Sequence, residues 1–244
     1  PGVEKEIYQF GIYEAGTLHV LQACLRKGDC FLDVGGNVGL MTVSAALAVG
    51  IHGKVYSFEP EPRVRNLIHK NLELNDLKNV TVFDFALGAA NETKNLFLHD
   101  EISLGSATLL QPGDQREGIG VKVRRLDDFV AEQKLPEIRM LKIDVEGWEL
   151  EVLLGARQLL SRPDAPILCV EYSELPHVDN EIQDIYRLIS SINKYQIFKL
   201  EKTKEWISKL VRIDSEADLP GHDNLFCFLP DHLASLPDGI FKKK

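Results

Sequence analysis

Phe31-Leu-Asp-Val-Gly-Gly-Asn-Val-Gly39 is an apolar strand that stops at a carboxylate, turns on glycines and runs into the apolar stretch Val38 to Val49. Downstream, Val55-Tyr-Ser-Phe-Glu59 is a second apolar strand that ends in an acid. A strand that turns sharply into a helix and lets a ligand touch its backbone has no room for Cβ atoms. Gly35, Gly36 and Gly39 supply that room. The two segments together read as half of a Rossmann-like nucleotide site.

Asp33 is expected at the carboxyl end of the first strand, beside whatever the loop holds. A dinucleotide presents an anionic pyrophosphate there, whereas S-adenosyl-L-methionine presents an ammonium and a sulfonium. Coulomb attraction in a partly desolvated cleft favours the second ligand. The dinucleotide fingerprint G-x-G-x-x-G also fails, because from Gly35 its later glycine places hold Asn37 and Leu40, and from Gly36 they hold Val38 and Met41. Glu59 lies one helix and one strand downstream, where an acid can accept hydrogen bonds from both ribose hydroxyls. Glu59 alone fits NAD equally well, so Asp33 with Asn37 separates the two readings.

The 244 residues are compatible with one α/β domain over residues 1–244, ample to bury a core without staples or metals. With 28 basic and 37 acidic residues the net charge is -9, which argues against a phosphate-backbone surface, and no nucleic-acid partner is expected. The Lys242-Lys-Lys244 tail reads as a solvated end. Cys24, Cys30, Cys169 and Cys227 form no C-x-x-C pair, as for free thiols in a reducing compartment. The longest apolar stretch, Val38 to Ile51, is well short of the ~20 residues that span a bilayer, and no secretory segment is visible. No membrane partner and a cytoplasmic location are the expectations. The chain begins at Pro1, so upstream targeting stays open.

Helical and strand patterns alternate as in a predominantly parallel sheet with helices on both faces. Leu18, Leu21 and Leu25 suggest a helix within an N-terminal segment, residues 1–27. Strands are expected at Cys30 to Asp33, Val55 to Glu59, Val80 to Phe83, Met140 to Asp144 and Ile167 to Glu171, then at Gln196 to Leu200 and Leu225 to Leu229. Seven strands result, with the last pair antiparallel at one edge. Val64, Leu67, Ile68 and Leu72 form one apolar helical stripe, and Val178, Ile182, Ile185, Ile189 and Ile192 another. Residues 91–125 differ: short strand patterns separated by Gly105-Ser-Ala-Thr and Pro112-Gly113 are either an insertion near the active face or a plain surface hairpin.

Four candidate strands end in acids: Asp33, Glu59, Asp144 and Glu171. In an open α/β sheet those ends share the edge where ligands bind. In Lys142-Ile-Asp-Val-Glu-Gly-Trp-Glu149, Gly147 allows a tight turn, so that Asp144 and Glu146 both face the methyl donor and acceptor. The competing reading is that Glu146, or Glu149, only favours the following helix through its N-terminal dipole. The segment lacks the Asp-Pro-Pro-Tyr type of turn used for methylating amino groups of bases or glutamine amides. Trp148 either walls the acceptor pocket or, as the default, packs against the sheet.

Gly11-Ile-Tyr-Glu14, the Phe31 to Gly39 segment, Phe58-Glu-Pro60, Phe85-Ala-Leu-Gly88, Leu141-Lys-Ile-Asp-Val-Glu-Gly147 with Glu149 and Gly155-Ala156, and Asn224-Leu-Phe-Cys-Phe together resemble the FkbM family of S-adenosylmethionine-dependent methyltransferases. The resemblance runs from about Gly11 to about Leu229. It implies a class I methyltransferase fold and methyl transfer to a hydroxyl of a sugar or secondary metabolite. By position, it implies that Asp33, Gly35, Gly36, Asn37 and Gly39 hold the methionine end, Glu59 the ribose, and Asp84 with the Phe85-Ala86 backbone the adenine. Tyr13 and Glu14 would close over the donor. Gly36 stands where many relatives carry alanine, a change expected to be tolerated.

A hydroxyl is a poor nucleophile at neutral pH, so a base is expected among Asp144, Glu146 and Glu171. His177 and His222 either reach the acceptor or are solvated loop residues. No Cys/His spacing suggests zinc, and Asp144 with Glu171 offers oxygen ligands that Mg2+ would accept. The acceptor pocket is expected from the region around Leu104 to Gly120, the loop after Glu171 and the N-terminal segment. The rival readings are a nicotinamide oxidoreductase or epimerase and a non-catalytic S-adenosylmethionine-binding module. The acceptor and the oligomeric state stay open.

Overall fold

In the computed structural model, residues 11, 13–98, 107–111, 117–173 and 181–242 are described. The elements in chain order are α1 (Ala15–Cys24), β1 (Cys30–Val34), α2 (Leu40–Val49), β2 (Lys54–Phe58), α3 (Pro62–Leu74), β3 (Val80–Phe83), β4 (Ala86–Leu87), β5 (Glu92–Leu98), β6 (Ala107–Thr108) and β7 (Ile119–Arg124). They continue with α4 (Leu126–Gln133), β8 (Ile138–Ile143), α5 (Glu149–Gly155), α6 (Arg157–Leu160), β9 (Ile167–Ser173), α7 (Glu181–Ile192), β10 (Gln196–Leu200), β11 (Leu210–Arg212), β12 (His222–Phe228) and α8 (Pro230–Ser235).

The main sheet has the order β11-β10-β12-β9-β8-β1-β2-β3. Strands β3, β2, β1, β8 and β9 are mutually parallel. All seven expected strands are present, and the short β11 adds an eighth. The expected antiparallel pair is present as β10 and β12; what the sequence did not show is that β12 inserts between β9 and β10, antiparallel to both, and that the short β11 forms the edge. Burial explains the order. Six of the seven β12 residues are buried, which an edge strand would not achieve, whereas the three-residue β11 leaves little open edge.

Period-2 alternation splits the apolar residues between two core layers. Along β1, Phe31 enters the layer with Val55, Met140 and Phe226, while Leu32 enters the layer with Phe58, Phe129 and Leu141. Helix α3 shows why these segments become helices: Val64, Ile68 and Leu72 are its buried face, Pro62 opens its first turn, and the Glu61 carboxylate accepts from the Val64 amide at 2.6 Å. In α7, Ile185 and Ile189 are buried as expected, while Val178 lies outside the described residues.

Strands β4, β7, β5 and β6 make a second, four-stranded sheet. It carries the described part of the region 91–125, and Leu96, Ala107 and Leu109 from it line the cavity described next. Gly105, Pro112 and Gly113 lie outside the described residues. The four cysteines are buried and unpaired, and among the described residues no helix is long and apolar enough to cross a membrane.

Candidate active site

An open cavity lies at the carboxyl edge of the parallel strands, where the β1–α2 loop, the end of β2, the β8–α5 loop and the start of α1 meet. The amides of Gly35 and Gly36 donate to the Phe58 carbonyl at 3.0 and 3.1 Å, folding the loop back onto β2. At φ +83, Gly35 is so close to β8 that a Cβ would fall 1.8 Å from the Asp144 carbonyl oxygen. Asn37 follows at φ 48, and its amide donates to Glu59 Oε2 at 3.0 Å. The other oxygen of Glu59 accepts from the Glu61 amide at 2.9 Å. Burial raises the Glu59 carboxyl to about 7, against the pull of those two N–H groups.

Four residues expected at the ligand, Asp33, Asp84, Phe85 and Gly39, are absent from the described cavity lining. Asp33 does not line the cavity: alternation along β1 turns Val34 toward it and sends Asp33 under the loop, fully buried. There its Oδ2 accepts from Thr42 Oγ1 at 2.5 Å, and Oδ1 has no hydrogen-bond partner among the described residues. Burial pushes its carboxyl up, opposed by the charge of Lys142. Asp84 is exposed and outside the lining, whereas Ala86 and Leu87 line it. Phe85 instead joins Phe58, Phe83 and Phe129 in an aromatic cluster. Gly39 is likewise off the wall and caps α2 at φ 91. At Gly36 a Cβ would lie 2.3 Å from Ser57 Oγ and 3.0 Å from Ile68 Cδ1, both the tips of side chains, so alanine there requires those two tips to shift and no backbone to move.

The acidic end is built on the turn after β8. Glu146 (φ 55) and Gly147 (φ 95) are consecutive left-handed residues that bring Asp144 and Glu146 onto the wall together. Glu149 does more than favour α5, since its Oε1 accepts from the Val145 and Gly147 amides at 2.9 and 3.1 Å and fixes the turn. Thr108 Oγ1 donates to the Glu146 carbonyl at 2.8 Å, tying the second sheet to the same turn. Trp148 is half-buried and is a wall of the cavity as well as packing, which corrects the default of packing alone. Its Nε1 is buried with no hydrogen-bond partner among the described residues.

Beneath the carboxylates lie two buried lysines with no role assigned from sequence. Lys142 Nζ is 2.9 Å from Asp144 Oδ2; Lys204 Nζ is 2.7 Å from Glu171 Oε1 and 3.0 Å from Glu14 Oε1. Burial opposes the Asp144 charge, but the two ammonium groups overcome it and hold the carboxyl at about 2. Glu171, buried beside ionised Asp144 and hydrogen-bonded to it, is pushed upward. Glu146 is exposed at the cavity mouth; the protein around it, then Asp144 and Glu149, raise its carboxyl to about 7. The Tyr13 phenol, on the same wall, is held protonated by burial and by Glu14. One carboxylate oxygen of each acid considered for Mg2+ is thus paired with an ammonium, Asp144 with Lys142 and Glu171 with Lys204. His222 is exposed, with Nδ1 2.9 Å from Ser173 Oγ and Nε2 3.7 Å from Glu171 Oε1; His177 lies outside the described residues. A lysine inside the apolar run Met140-Leu-Lys-Ile was a legible signal for Lys142, because a buried lysine needs a partner. Lys204 carries no such signal.

The parallel core, the inserted β12 and the cavity at the strand ends define the class I, Rossmann-like methyltransferase fold. The chain belongs to the FkbM family: a sequence model described as "Methyltransferase FkbM domain" matches residues 33–200. It is 29% identical over 173 residues to Methyltransferase 1 of Beauveria bassiana, covering 63% of this chain and 66% of that protein. It is 24% identical over 199 residues to the hexuronic acid methyltransferase AglP of Haloferax volcanii, covering 80% and 75%. The crystal structure of Methyltransferase FkbM from Methylobacillus flagellatus KT superposes with a TM-score of 0.56 at 19% identity, over 85% of this chain and 48% of that one. The chain therefore spans about two thirds of the Beauveria protein and about half of the solved one.

Proposed function

We propose that this protein transfers the methyl group of S-adenosylmethionine to a hydroxyl oxygen of a sugar or secondary metabolite. The observation that carries the reading is the acidic cavity wall: its described lining holds Glu14, Glu59, Glu61, Asp144, Glu146 and Glu171 against one lysine, Lys142, and even with Glu59, Glu146 and Glu171 pushed toward protonation the ionised acids outnumber that lysine. A pyrophosphate would be repelled there, and a sulfonium with an α-ammonium attracted. The hexuronic acid named for the Haloferax relative supports a saccharide acceptor.

S-adenosylmethionine supplies an electrophilic methyl on a positively charged sulfur. Glu59 holds the ribose of the donor, the loop Gly35 to Asn37 its methionine end, and ionised Asp144 faces its cationic groups. Glu146, exposed to the cavity with a carboxyl near neutrality, takes the proton of the acceptor hydroxyl as the new C–O bond forms. The electron pair of the broken S–C bond stays on sulfur, leaving S-adenosylhomocysteine. Glu171 is pushed toward its protonated form by burial and by Asp144, which leaves it less free to take the proton. Holding oxygen and methyl carbon in near-attack geometry supplies most of the rate.

Calorimetry with S-adenosylmethionine, S-adenosylhomocysteine and NAD tests the donor, with binding of the first two expected. Radiolabelled methyl transfer to a panel of sugars and hydroxylated metabolites tests the acceptor. Uptake of NAD alone would overturn the reading. Tight donor binding with no transfer to any hydroxyl would point to the non-catalytic module.

A further inference from the structure

Glu14 is 1% exposed and stands at φ 46, a left-handed conformation that a non-glycine residue keeps only when its surroundings hold it there. Its Oε1 pairs with Lys204 Nζ at 3.0 Å, its Oε2 accepts from Asn224 Nδ2 at 3.3 Å, and its amide donates to Glu205 Oε2 at 3.2 Å. Two residues on, the Gly16 amide donates to the Lys204 carbonyl at 2.9 Å, and a Cβ on Gly16 would fall 2.6 Å from the Trp206 carbonyl oxygen. The start of α1 is thus seated on the segment that follows β10.

Lys204 is 7% exposed and is absent from the described cavity lining, whereas Tyr13 and Glu14 belong to it. The same ammonium reaches Glu171 on β9 at 2.7 Å. Both ends of this contact, Glu14 and Lys204, lie outside the stretch 33–200 that matches the family. We propose that Lys204 is a positioning residue: its buried ammonium latches Glu14, and with it Tyr13 and the start of α1, to Glu171 and so closes the acidic end of the donor cavity. Without that charge, Glu14 would be a buried carboxylate with no cation beside it, and the cost of its desolvation would drive Glu14 outward together with Tyr13. The inference rests on the cavity being the donor site.

The test is calorimetric titration of the wild type, Lys204→Met, Lys204→Arg, Glu14→Gln and the Lys204→Met/Glu14→Gln double variant with S-adenosylhomocysteine. Hydrogen exchange is followed at the amides of Glu14 and Gly16. Lys204→Met is expected to bind at least tenfold more weakly and to exchange both amides faster, with β1 and β8 still protected. Lys204→Arg should recover most of the affinity, and Glu14→Gln should lose less in the same direction. The double variant should be no worse than Lys204→Met, because both changes act through one contact. Wild-type affinity in Lys204→Met, or losses that add in the double variant, overturns the latch and leaves the donor reading standing. Absence of binding by the wild type overturns both. Should Lys204→Met fail to fold, unchanged affinity in Glu14→Gln is the result that removes the latch.

Discussion

The main-chain amide of Asn37 donates to the Glu59 carboxylate at 3.0 Å, so the glycine loop after β1 and the acid after β2 form one hydrogen-bonded unit. Glu59 is therefore a support for the loop and, in the proposed reading, a ligand to the donor. Its second oxygen is engaged by the Glu61 amide at 2.9 Å, which carries the unit on to the capped start of α3.

Replacing Glu59 by glutamine keeps one acceptor oxygen and turns an NH2 toward one of the two amides. The unmade buried bond should cost about 1–3 kcal/mol, or a fall of about 2–4 °C in melting temperature per kcal/mol for a chain of this size. Donor affinity should drop at least tenfold. A calorimetric titration beside a thermal melt checks both, and unchanged affinity would remove Glu59 from the donor site.

Stability should also depend on the protonation of Glu59. Its carboxyl is raised from 4.5 to about 7 in the folded chain, so between those values the native state binds more protons than the unfolded one. The contribution is complete below the lower value and is lost as pH rises through about 7. Melting temperatures across that window should show a decline in the wild type that is shallower in Glu59→Gln. An equal slope in both proteins would contradict the assignment.

Glu146 should appear in the rate profile. With its carboxyl at about 7, kcat/KM should climb as pH rises through that value, where the base loses its proton. Glu146→Gln should lower turnover by roughly 10²–10⁴-fold and flatten that limb, while S-adenosylhomocysteine still binds. A Gln variant with wild-type kcat and the same limb would assign the proton to another group.

Gly35→Ala should be among the most damaging single changes. The added carbon would lie 1.8 Å from the Asp144 carbonyl oxygen at a residue with φ +83, and the atom in the way is backbone. A loss above about 4 kcal/mol is expected, read as insoluble protein or a collapsed denaturation midpoint. Near-normal stability would mean that the β1 and β8 ends separate easily.

Trp148 offers an optical report on the cavity. The chain has two tryptophans, and Trp206 is 65% exposed while Trp148 lines the wall with Lys94 Nζ 4.8 Å from its ring centroid. In Trp206→Phe, titration with S-adenosylhomocysteine should change the remaining emission with the same midpoint as calorimetry. A silent titration alongside a normal heat signal would place the ligand away from Trp148.

Much of this was legible because it is local. Glycines at 35 and 36, Asn37 and the acid at 59 act through backbone conformation and strand ends, and Gly147 marks a turn whatever surrounds it. The region 91–125 was readable as strands separated by loops, and Leu96, Ala107 and Leu109 reach the cavity from its described part. Asp33 was harder. Its position at a strand end is visible, but one step of the period-2 pleat decides whether a side chain meets the cavity or the core, and here Val34 takes the cavity. Asp84 shows the same effect, since the wall begins two residues later at Ala86.

By itself, then, the amino-acid order determined the alternating architecture, the glycine loop and the acids that end β1, β2, β8 and β9, because each depends on a residue's own conformational limits and on short-range periodicity. Only the folded chain decided that β12 lies between β9 and β10, that Lys204 reaches Glu14 and Glu171, and that Glu14 reaches across to Asn224. Those pairings join residues far apart in the chain, and a buried charge acquires its partner only when the sheet order brings the two together.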